Sequence, residues 1–133
     1  MPERLVVNVD GGARGNPGSA AIAAVVATPA GEAVEQRGEA IGPATNNVAE
    51  YRALLLGIEL ARERGAGEVE LVGDSELVVK QVKGEYRVKD PDLRSLHAEV
   101  RAALEPFERW SIRHVRRDDN AAADQLVNET LDR

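Results

Sequence analysis

The first forty residues alternate between short apolar runs and turn-forming residues. Residues 4–9 (RLVVNV), 20–28 (AAIAAVVAT) and 32–41 (EAVEQRGEAI) predict three strands, because small and β-branched apolar side chains recur in short segments. A glycine-rich stretch, which we interpret as a loop, separates the first two, and PAGE marks a turn between the second and third. Three successive strands with short connections favour an antiparallel meander.

Beyond the GPATNN segment the apolar positions change to a helical period. From residue 48 to about residue 64 they recur on one face, and the helix ends at RGAG. The remaining chain predicts a strand, two helices, a strand and a final helix, at residues 68–73, 75–84, 90–107, 109–115 and 120–132. Strands followed by alternating helices and strands indicate an α/β fold in which helices cover a mixed sheet. We expect a single domain over residues 1–133.

Composition excludes several classes of function. The chain has no cysteine, which excludes disulfides, thiolate metal sites and cysteine nucleophiles. We see no basic and apolar leader and no apolar run near the ~20 residues that cross a bilayer. With 43% hydrophobic and 30% charged residues, the sequence is typical of a globular protein. We therefore expect a cytoplasmic protein with no membrane partner.

Charge is distributed unevenly along the chain. The net charge of −6 argues weakly against a nucleic-acid partner. Residues 80–117, however, contain ten Lys or Arg and six Asp or Glu, a balance of +4, which leaves −10 for the rest. A mixed solvated surface would also explain this distribution.

Two aspartates stand where predicted strands end. Asp10 follows the apolar run LVVNV, and Asp74 follows VELVG. Each has a purely structural interpretation, since Asp before Gly is common in turns and Asp74, beside Ser75, is placed to cap a helix. If the two strands are adjacent and parallel, however, both carboxylates lie at the same edge of the sheet.

Two further acids occupy helix positions that face the core. Glu50 extends the apolar stripe formed by positions 53, 54, 57, 58 and 61, and Asp124 shares a face with Val127 and Leu131. The structural alternatives are a capping box, with Asn47 as the N-cap and Glu50 reaching back to it, and a surface carboxylate at 124. Four carboxylates gathered at one edge would repel one another unless hard cations held them, and oxygen ligands suit Mg²⁺ or Mn²⁺.

The acids lie in four blocks that resemble the signature blocks of type 1 ribonuclease H. These are VDGGARGNPG, TNNVAEYRALLLGIELA, VELVGDSELVVKQVKGEY and HVRRDDNAAADQL, in the family's order from Val9 to Leu126. The resemblance implies a five-stranded mixed sheet of order 3-2-1-4-5, with strands 1–3 antiparallel and helices on both faces. It also implies that Asp10, Glu50, Asp74 and Asp124 are catalytic and bind metal.

The resemblance further implies an endoribonuclease that hydrolyses the RNA strand of RNA/DNA hybrids and leaves 5′-phosphate and 3′-hydroxyl ends. Two Mg²⁺ ions, for which Mn²⁺ may substitute, would activate water and stabilise the leaving oxygen. Two alternatives are a non-catalytic hybrid-binding module of the same fold and a related nuclease that also acts on double-stranded RNA. We expect a monomer, and the sequence implies no protein partner.

Several small or polar residues are candidates for contacts with the hybrid. The amides of Gly11 and Gly12 can approach a ribose 2′-hydroxyl closely, because no Cβ intervenes. The resemblance assigns Asn16 to the minor groove and the TNN segment to the DNA strand. The further candidates are Thr45, Asn46, Asn47, Asn120 and Lys80. N-capping explains Asn120 equally well, and a solvated surface explains Lys80 nearly as well.

The chain departs from many relatives in two places. His114 has the spacing of a histidine that assists catalysis in the family, but it falls within a predicted strand. Arg117 matches an arginine that a branch of the family has seven residues before the last aspartate, and we prefer Arg117 because it can orient a phosphate through two hydrogen bonds. The basic helix of many relatives is also missing, which indicates a compact branch of the family.

Overall fold

A five-stranded sheet with four α-helices forms the fold. The computed structural model describes residues 3–133. The elements follow in the order β1 (Glu3–Gly15), β2 (Gly18–Ala27), β3 (Ala33–Ala44), α1 (Asn46–Glu63), β4 (Ala66–Gly73), α2 (Glu76–Lys83), α3 (Pro91–Leu104), β5 (Arg109–His114), a 3₁₀ turn (Arg117–Asn120) and α4 (Ala121–Leu131).

The strands are arranged in the order β3-β2-β1-β4-β5. β1 pairs antiparallel with β2, and β2 with β3, whereas β4 pairs parallel with both β1 and β5. The predicted fold class is therefore confirmed, including the antiparallel meander and the mixed sheet. Asn8 pairs with Val72, which brings Asp10 and Asp74 to the same end of two adjacent strands.

Helices cover both faces of the sheet, as the alternation within β2 shows. Ala20, Ile22 and Ala24 belong to the main core, together with residues of α1 and α3. The intervening Ala21 and Ala23 face the other way and pack against Leu126 and Val127 of α4. Because successive side chains of a strand point to opposite faces, a strand buried on both sides is apolar throughout.

The glycine-rich segment is not a loop, and that part of the sequence interpretation is wrong. β1 continues through it to Gly15, and Gly11 and Gly12 pair with Ile22 and Ala21 of β2. Backbone hydrogen bonds to β2 extend β1 through this segment, although most of its residues are glycine or alanine. The turn of the hairpin lies at residues 16–17.

Several predicted ends also differ from the structure. β3 runs to Ala44 rather than residue 41, and α3 ends at Leu104 rather than at residue 107. A 3₁₀ turn precedes α4. α1 begins at Asn46 rather than residue 48, because Thr45 is its N-cap and the Thr45 hydroxyl accepts from the Val48 amide at 3.2 Å. The structural alternative for Glu50, a capping box with Asn47 as the N-cap, is therefore excluded.

α2 leads into α3 through residues 84–90, without a further helix. This agrees with the predicted absence of a basic helix at that position. Within residues 3–133, no helix combines the length and apolar character required to span a membrane.

α1 packs unusually close to β1 at two glycines. A Cβ at Gly57 would lie 2.8 Å from methyl groups of both Val7 and Val9. A Cβ at Gly11 would lie 2.3 Å from the backbone carbonyl atoms of Ala49. Since backbone cannot move aside as a flexible side chain can, Gly11 is required by the contact between strand and helix.

We predict that Gly11→Ala lowers the free energy of unfolding by about 1–3 kcal/mol, the usual cost of overpacking. The matched control is Gly12→Ala, because a Cβ at Gly12 would meet only a Val127 methyl group, at 3.8 Å. Denaturant unfolding of both variants measures the difference. Equal losses in the two variants would contradict the packing argument.

Candidate active site

A cleft of about 420 Å³ opens where β1, β4, α1 and α4 meet. Three of the predicted acids reach it from different elements, with Asp10 in β1, Glu50 in the first turns of α1 and Asp74 just after β4. Asp124 lines the same cleft from α4. The structure thus brings together all four carboxylates that the sequence singles out.

Three of these acids are close enough to share a cation. Asp10, Glu50 and Asp74 each offer a carboxylate oxygen, and the three oxygens lie within 4.8 Å of one another. Asp10 is 6% exposed and Glu50 is 9% exposed, whereas Asp74 is half-buried. An oxygen-only ligand set of this kind fits a hard divalent cation such as Mg²⁺ or Mn²⁺.

The close packing of α1 on β1 positions Glu50. Its carboxylate accepts a hydrogen bond from the Gly11 amide at 3.3 Å, and Gly11 directly follows Asp10. The glycine that allows α1 to approach β1 therefore also binds the acid that α1 carries. The Gly11 amide, which we expected to contact a ribose, donates to Glu50 in this structure.

Asp74 is free of the capping role that the sequence left open. Ser75 is the N-cap of α2, and its hydroxyl accepts from the Val78 amide at 3.3 Å. The Asp74 carboxylate instead accepts from the side-chain amide of Asn120 at 3.4 Å. Asp74 therefore faces the cleft rather than the end of the helix.

Burial and mutual repulsion strongly raise the pKa values of two of these acids. Burial, followed by the negative charge of Asp74, raises the pKa of Asp10 to about 7. Burial and the charge of Asp10 also raise the pKa of Glu50 well above its usual value. Asp124 adds to the repulsion at Asp10. A site that resists ionisation in this way is complementary to a bound divalent cation.

The residues predicted to contact a hybrid surround the start of α1, with the exception of Lys80 and Asn120. Gly11, Gly12, Asn46 and Asn47 line the cleft. Asn16, Thr45, Asn46 and Asn47 line a neighbouring groove, together with Asp90 and Asp92.

Two of these asparagines connect the hairpin to α1. The backbone amide of Asn46 donates to the side-chain oxygen of Asn16 at 3.0 Å. The side-chain oxygen of Asn46 accepts from the backbone amide of Ala13 at 2.9 Å. These bonds fix the hairpin and the helix relative to each other. Their roles in binding stay predictions.

The structure separates Arg117 from His114. Arg117 lies in the 3₁₀ turn and lines the cleft, whereas His114 ends β5 and is not among the lining residues. Lys80 lies on α2, outside the lining of the cleft, and its ammonium group contacts Glu76 at 3.8 Å and the Tyr86 hydroxyl at 3.3 Å.

Asn120 does not fit the expected contact with phosphate. It is 1% exposed, and the structure shows no capping bond from its side chain. Its amide binds Val9 and Asp74, and its oxygen accepts from Asn8. The sequence interpretation missed Asn8, although a polar residue within the apolar run LVVNV was the available signal.

Arg14 is a second residue that the sequence interpretation missed. It lines the cleft near the end of β1 and pairs with Asp132 at 2.7 Å. Both side chains are more than half exposed. An arginine in a glycine-rich stretch gives little signal, because its position depends on the continuation of β1 to Gly15, which the sequence did not reveal.

Comparison with known proteins places these features in a family. Residues 8–130 match the family described as "Reverse transcriptase-like". The chain is 48% identical over 129 residues to the ribonuclease HI of Halobacterium salinarum, covering 97% of this chain and 65% of that protein. It is 44% identical over 130 residues to the bifunctional protein Rv2228c of Mycobacterium tuberculosis, covering 97% of this chain and 36% of that one. The chain thus spans about two thirds of the length of the first of these curated relatives and about one third of the length of the second.

Solved structures agree over nearly the whole chain. The crystal structure of RNase H1 from Halobacterium salinarum NRC-1 superposes with a TM-score of 0.95, at 46% identity, and the match covers 97% of this chain and 98% of that one. LC11-RNase H1 was crystallised in complex with an RNA/DNA hybrid. It matches with a TM-score of 0.92 at 40% identity, over 96% of both chains.

The raised pKa of Asp10 predicts how stability depends on pH without divalent cations. The folded protein holds this proton more tightly than the unfolded chain does, so its stability should fall as pH rises from about 4 to about 7. Asp10→Asn removes the titrating group. At pH 8 in EDTA the variant should be more stable than the parent by at least about 1 kcal/mol, since one pKa unit corresponds to about 1.4 kcal/mol.

Thermal unfolding between pH 5 and pH 8 in EDTA measures this effect. Glu59→Gln is the matched control, because it makes the same charge change at an exposed position of α1. The control should follow the parent. If the thermal stability of Asp10→Asn also equals that of the parent at every pH, the raised pKa of Asp10 is wrong.

Proposed function

The chain belongs to the type 1 ribonuclease H family, and we propose that it is an endoribonuclease that hydrolyses the RNA strand of RNA/DNA hybrids. The observation that carries this proposal is the cluster of Asp10, Glu50 and Asp74, whose carboxylate oxygens lie within 4.8 Å of one another. Its relative LC11-RNase H1 was crystallised with an RNA/DNA hybrid, which supports the choice of substrate. The products would carry 5′-phosphate and 3′-hydroxyl ends.

The four acids would hold the divalent cations. Asp10, Glu50 and Asp74 would supply the ligand oxygens that lie closest together, and Asp124 would add a further carboxylate from α4. Mg²⁺ is the proposed cofactor, and Mn²⁺ should substitute, because both prefer oxygen ligands. When bound, two such ions supply activation of water and stabilisation of the leaving 3′ oxygen.

Residues around the cleft would orient the hybrid. Gly12 and Glu50 both line the cleft. We assign the Gly12 amide to donate to a ribose 2′-hydroxyl and the carboxylate of Glu50 to accept from it, and that hydroxyl distinguishes RNA from DNA. The N-terminus of α1, with Thr45, Asn46 and Asn47, would bind the DNA strand, because the positive end of a helix and its polar side chains favour phosphate.

Arg117 would orient a phosphate at the cleft. It is exposed and lines the cleft from the 3₁₀ turn, so its guanidinium can reach a substrate without losing a buried partner. A guanidinium does not act as a base at neutral pH, but it can donate two parallel hydrogen bonds to a phosphate. We therefore propose that Arg117, rather than His114, assists the reaction.

A non-catalytic hybrid-binding module is less consistent with the site. A protein that only binds phosphates gains nothing from four carboxylates in its binding cleft, because they repel the ligand. Activity on double-stranded RNA is a separate possibility for the same carboxylates. We further propose that the protein acts as a monomer in the cytoplasm.

Cleavage of an end-labelled RNA/DNA hybrid in Mg²⁺ tests the proposed function. We expect the parent to cut the RNA strand, Asp10→Asn to abolish cleavage, and the control Glu59→Gln to cut like the parent. Competition with duplex RNA and duplex DNA tests substrate class. A parent that binds the hybrid but cuts nothing in either Mg²⁺ or Mn²⁺ would favour the binding module.

Three variants test the role of Arg117. Arg117→Ala should lower kcat about 10- to 100-fold, since hydrogen bonds to charged groups contribute about 1.5–3 kcal/mol. Arg117→Lys should fall between the alanine variant and the parent, because it keeps the charge but not the planar pair of donors. His114→Ala should stay close to the parent. Loss of most activity in His114→Ala with activity retained in Arg117→Ala would reverse the assignment.

A further inference from the structure

Asn120 is the buried polar residue that connects β1 to Asp74. It is the last residue of the 3₁₀ turn, directly before α4, and is 1% exposed. Its side-chain nitrogen donates to the Val9 carbonyl at 2.8 Å and reaches the Asp74 carboxylate at 3.4 Å. Its side-chain oxygen accepts from the Asn8 side chain at 2.9 Å. Both polar atoms of its side chain therefore have hydrogen-bond partners.

The orientation of this amide follows from its partners. A backbone carbonyl can only accept a hydrogen bond, so the nitrogen of Asn120 must face Val9. The same nitrogen carries a second hydrogen, which is directed to Asp74. The oxygen of Asn120 is then left for Asn8, which is a donor at that contact. Reversing the amide would place two acceptors together at Val9 and at Asp74.

Asn120 lies where the parallel pairing of β1 and β4 ends. The last pair is Asn8 with Val72, after which β4 leads to Asp74 and the start of α2. The Val9 carbonyl, one residue further along β1, accepts a hydrogen bond from the Asn120 side chain. One side chain therefore fixes the backbone just before Asp10 and also contacts the carboxylate of Asp74.

We propose that Asn120 is a positioning residue that holds Asp10 and Asp74 in the arrangement that binds divalent cations. This inference rests on the proposed function, because it assumes that the carboxylates are metal ligands. A neutral amide suits this position. It orients a carboxylate without neutralising it, whereas a Lys or Arg would compete with the cation for the same negative charge.

Direct binding of Mn²⁺, measured by isothermal titration calorimetry on the full chain, tests this role without relying on activity. Asn120→Ala should weaken Mn²⁺ binding about 10- to 100-fold, as is usual when a group that orients a metal ligand is removed. A purely structural role would lower thermal stability and leave the Mn²⁺ affinity of the folded protein unchanged.

Gln81→Ala is the matched control. Gln81 is also a buried amide, 5% exposed, and it accepts from the Tyr51 hydroxyl between α1 and α2, outside the lining of the cleft. We expect this variant to lose stability but to bind Mn²⁺ like the parent. Equal weakening of Mn²⁺ binding in both variants would overturn the proposal, and so would an unchanged affinity in Asn120→Ala.

Asn8→Ala provides a second variant if Asn120→Ala does not fold. It keeps the Asn120 side chain but removes the donor that fixes its oxygen, so we expect a smaller loss of Mn²⁺ affinity in the same direction. Parent-like affinity in Asn8→Ala would then count against the proposal. At saturating Mn²⁺, the KM for the hybrid should stay unchanged in either variant, because a buried amide does not touch the substrate.

These measurements separate the two proposals. A parent that binds Mn²⁺ but does not cleave the hybrid would contradict the proposed function, and the Mn²⁺ affinities would still decide the role of Asn120. A parent that binds no Mn²⁺ would overturn both.

Discussion

The close contact between α1 and β1 is the constraint on which the site depends. Gly11 and Gly57 let the helix approach the strand until a methyl group would no longer fit between them. The same approach brings Glu50 within reach of the Gly11 amide and of Asp10. The glycines that allow α1 to pack closely on β1 therefore also set the distance between Asp10 and Glu50.

The clustered acids oppose folding, and the rest of the structure must offset this effect. Asp10 and Glu50 are almost completely buried, and burial together with mutual repulsion raises the pKa of each. Such groups are found where function requires them, since burial of an unpaired carboxylate costs several kcal/mol. In this fold the surrounding core is apolar and continuous, with residues of β1, β2, β4, α1 and α3 packed together. A cation that binds the acids also relieves the repulsion.

The sequence predicted the α/β fold class from local patterns. The strand order and the roles of the four acids rested instead on the resemblance to type 1 ribonuclease H, and the expected meeting of the acids rested on assumed pairing of distant strands. Apolar strands, a helical stripe and an acid at the end of each of two strands can be read locally. The continuation of β1 through its glycines could not, since it depends on pairing with β2. Asn120 shows the same limit, because nothing in the segment RRDDN distinguishes an exposed asparagine from one that Val9 and Asn8 bury.

The two acids that helices carry, Glu50 and Asp124, lie on helices that pack against opposite faces of the sheet through cores of different size. Glu50 comes from α1, which is anchored in the large core, whereas Asp124 comes from α4, whose apolar contacts with the sheet form a cluster centred on Ala21, Ala23, Leu126 and Val127. A Cβ at Gly38 of β3 would lie 2.4 Å from the hydroxyl of Thr130 in α4, so the helix packs directly against the strand backbone. The position of Asp124 is therefore set by close approach of α4 to the meander, in the same way that the position of Glu50 is set by close approach of α1 to β1.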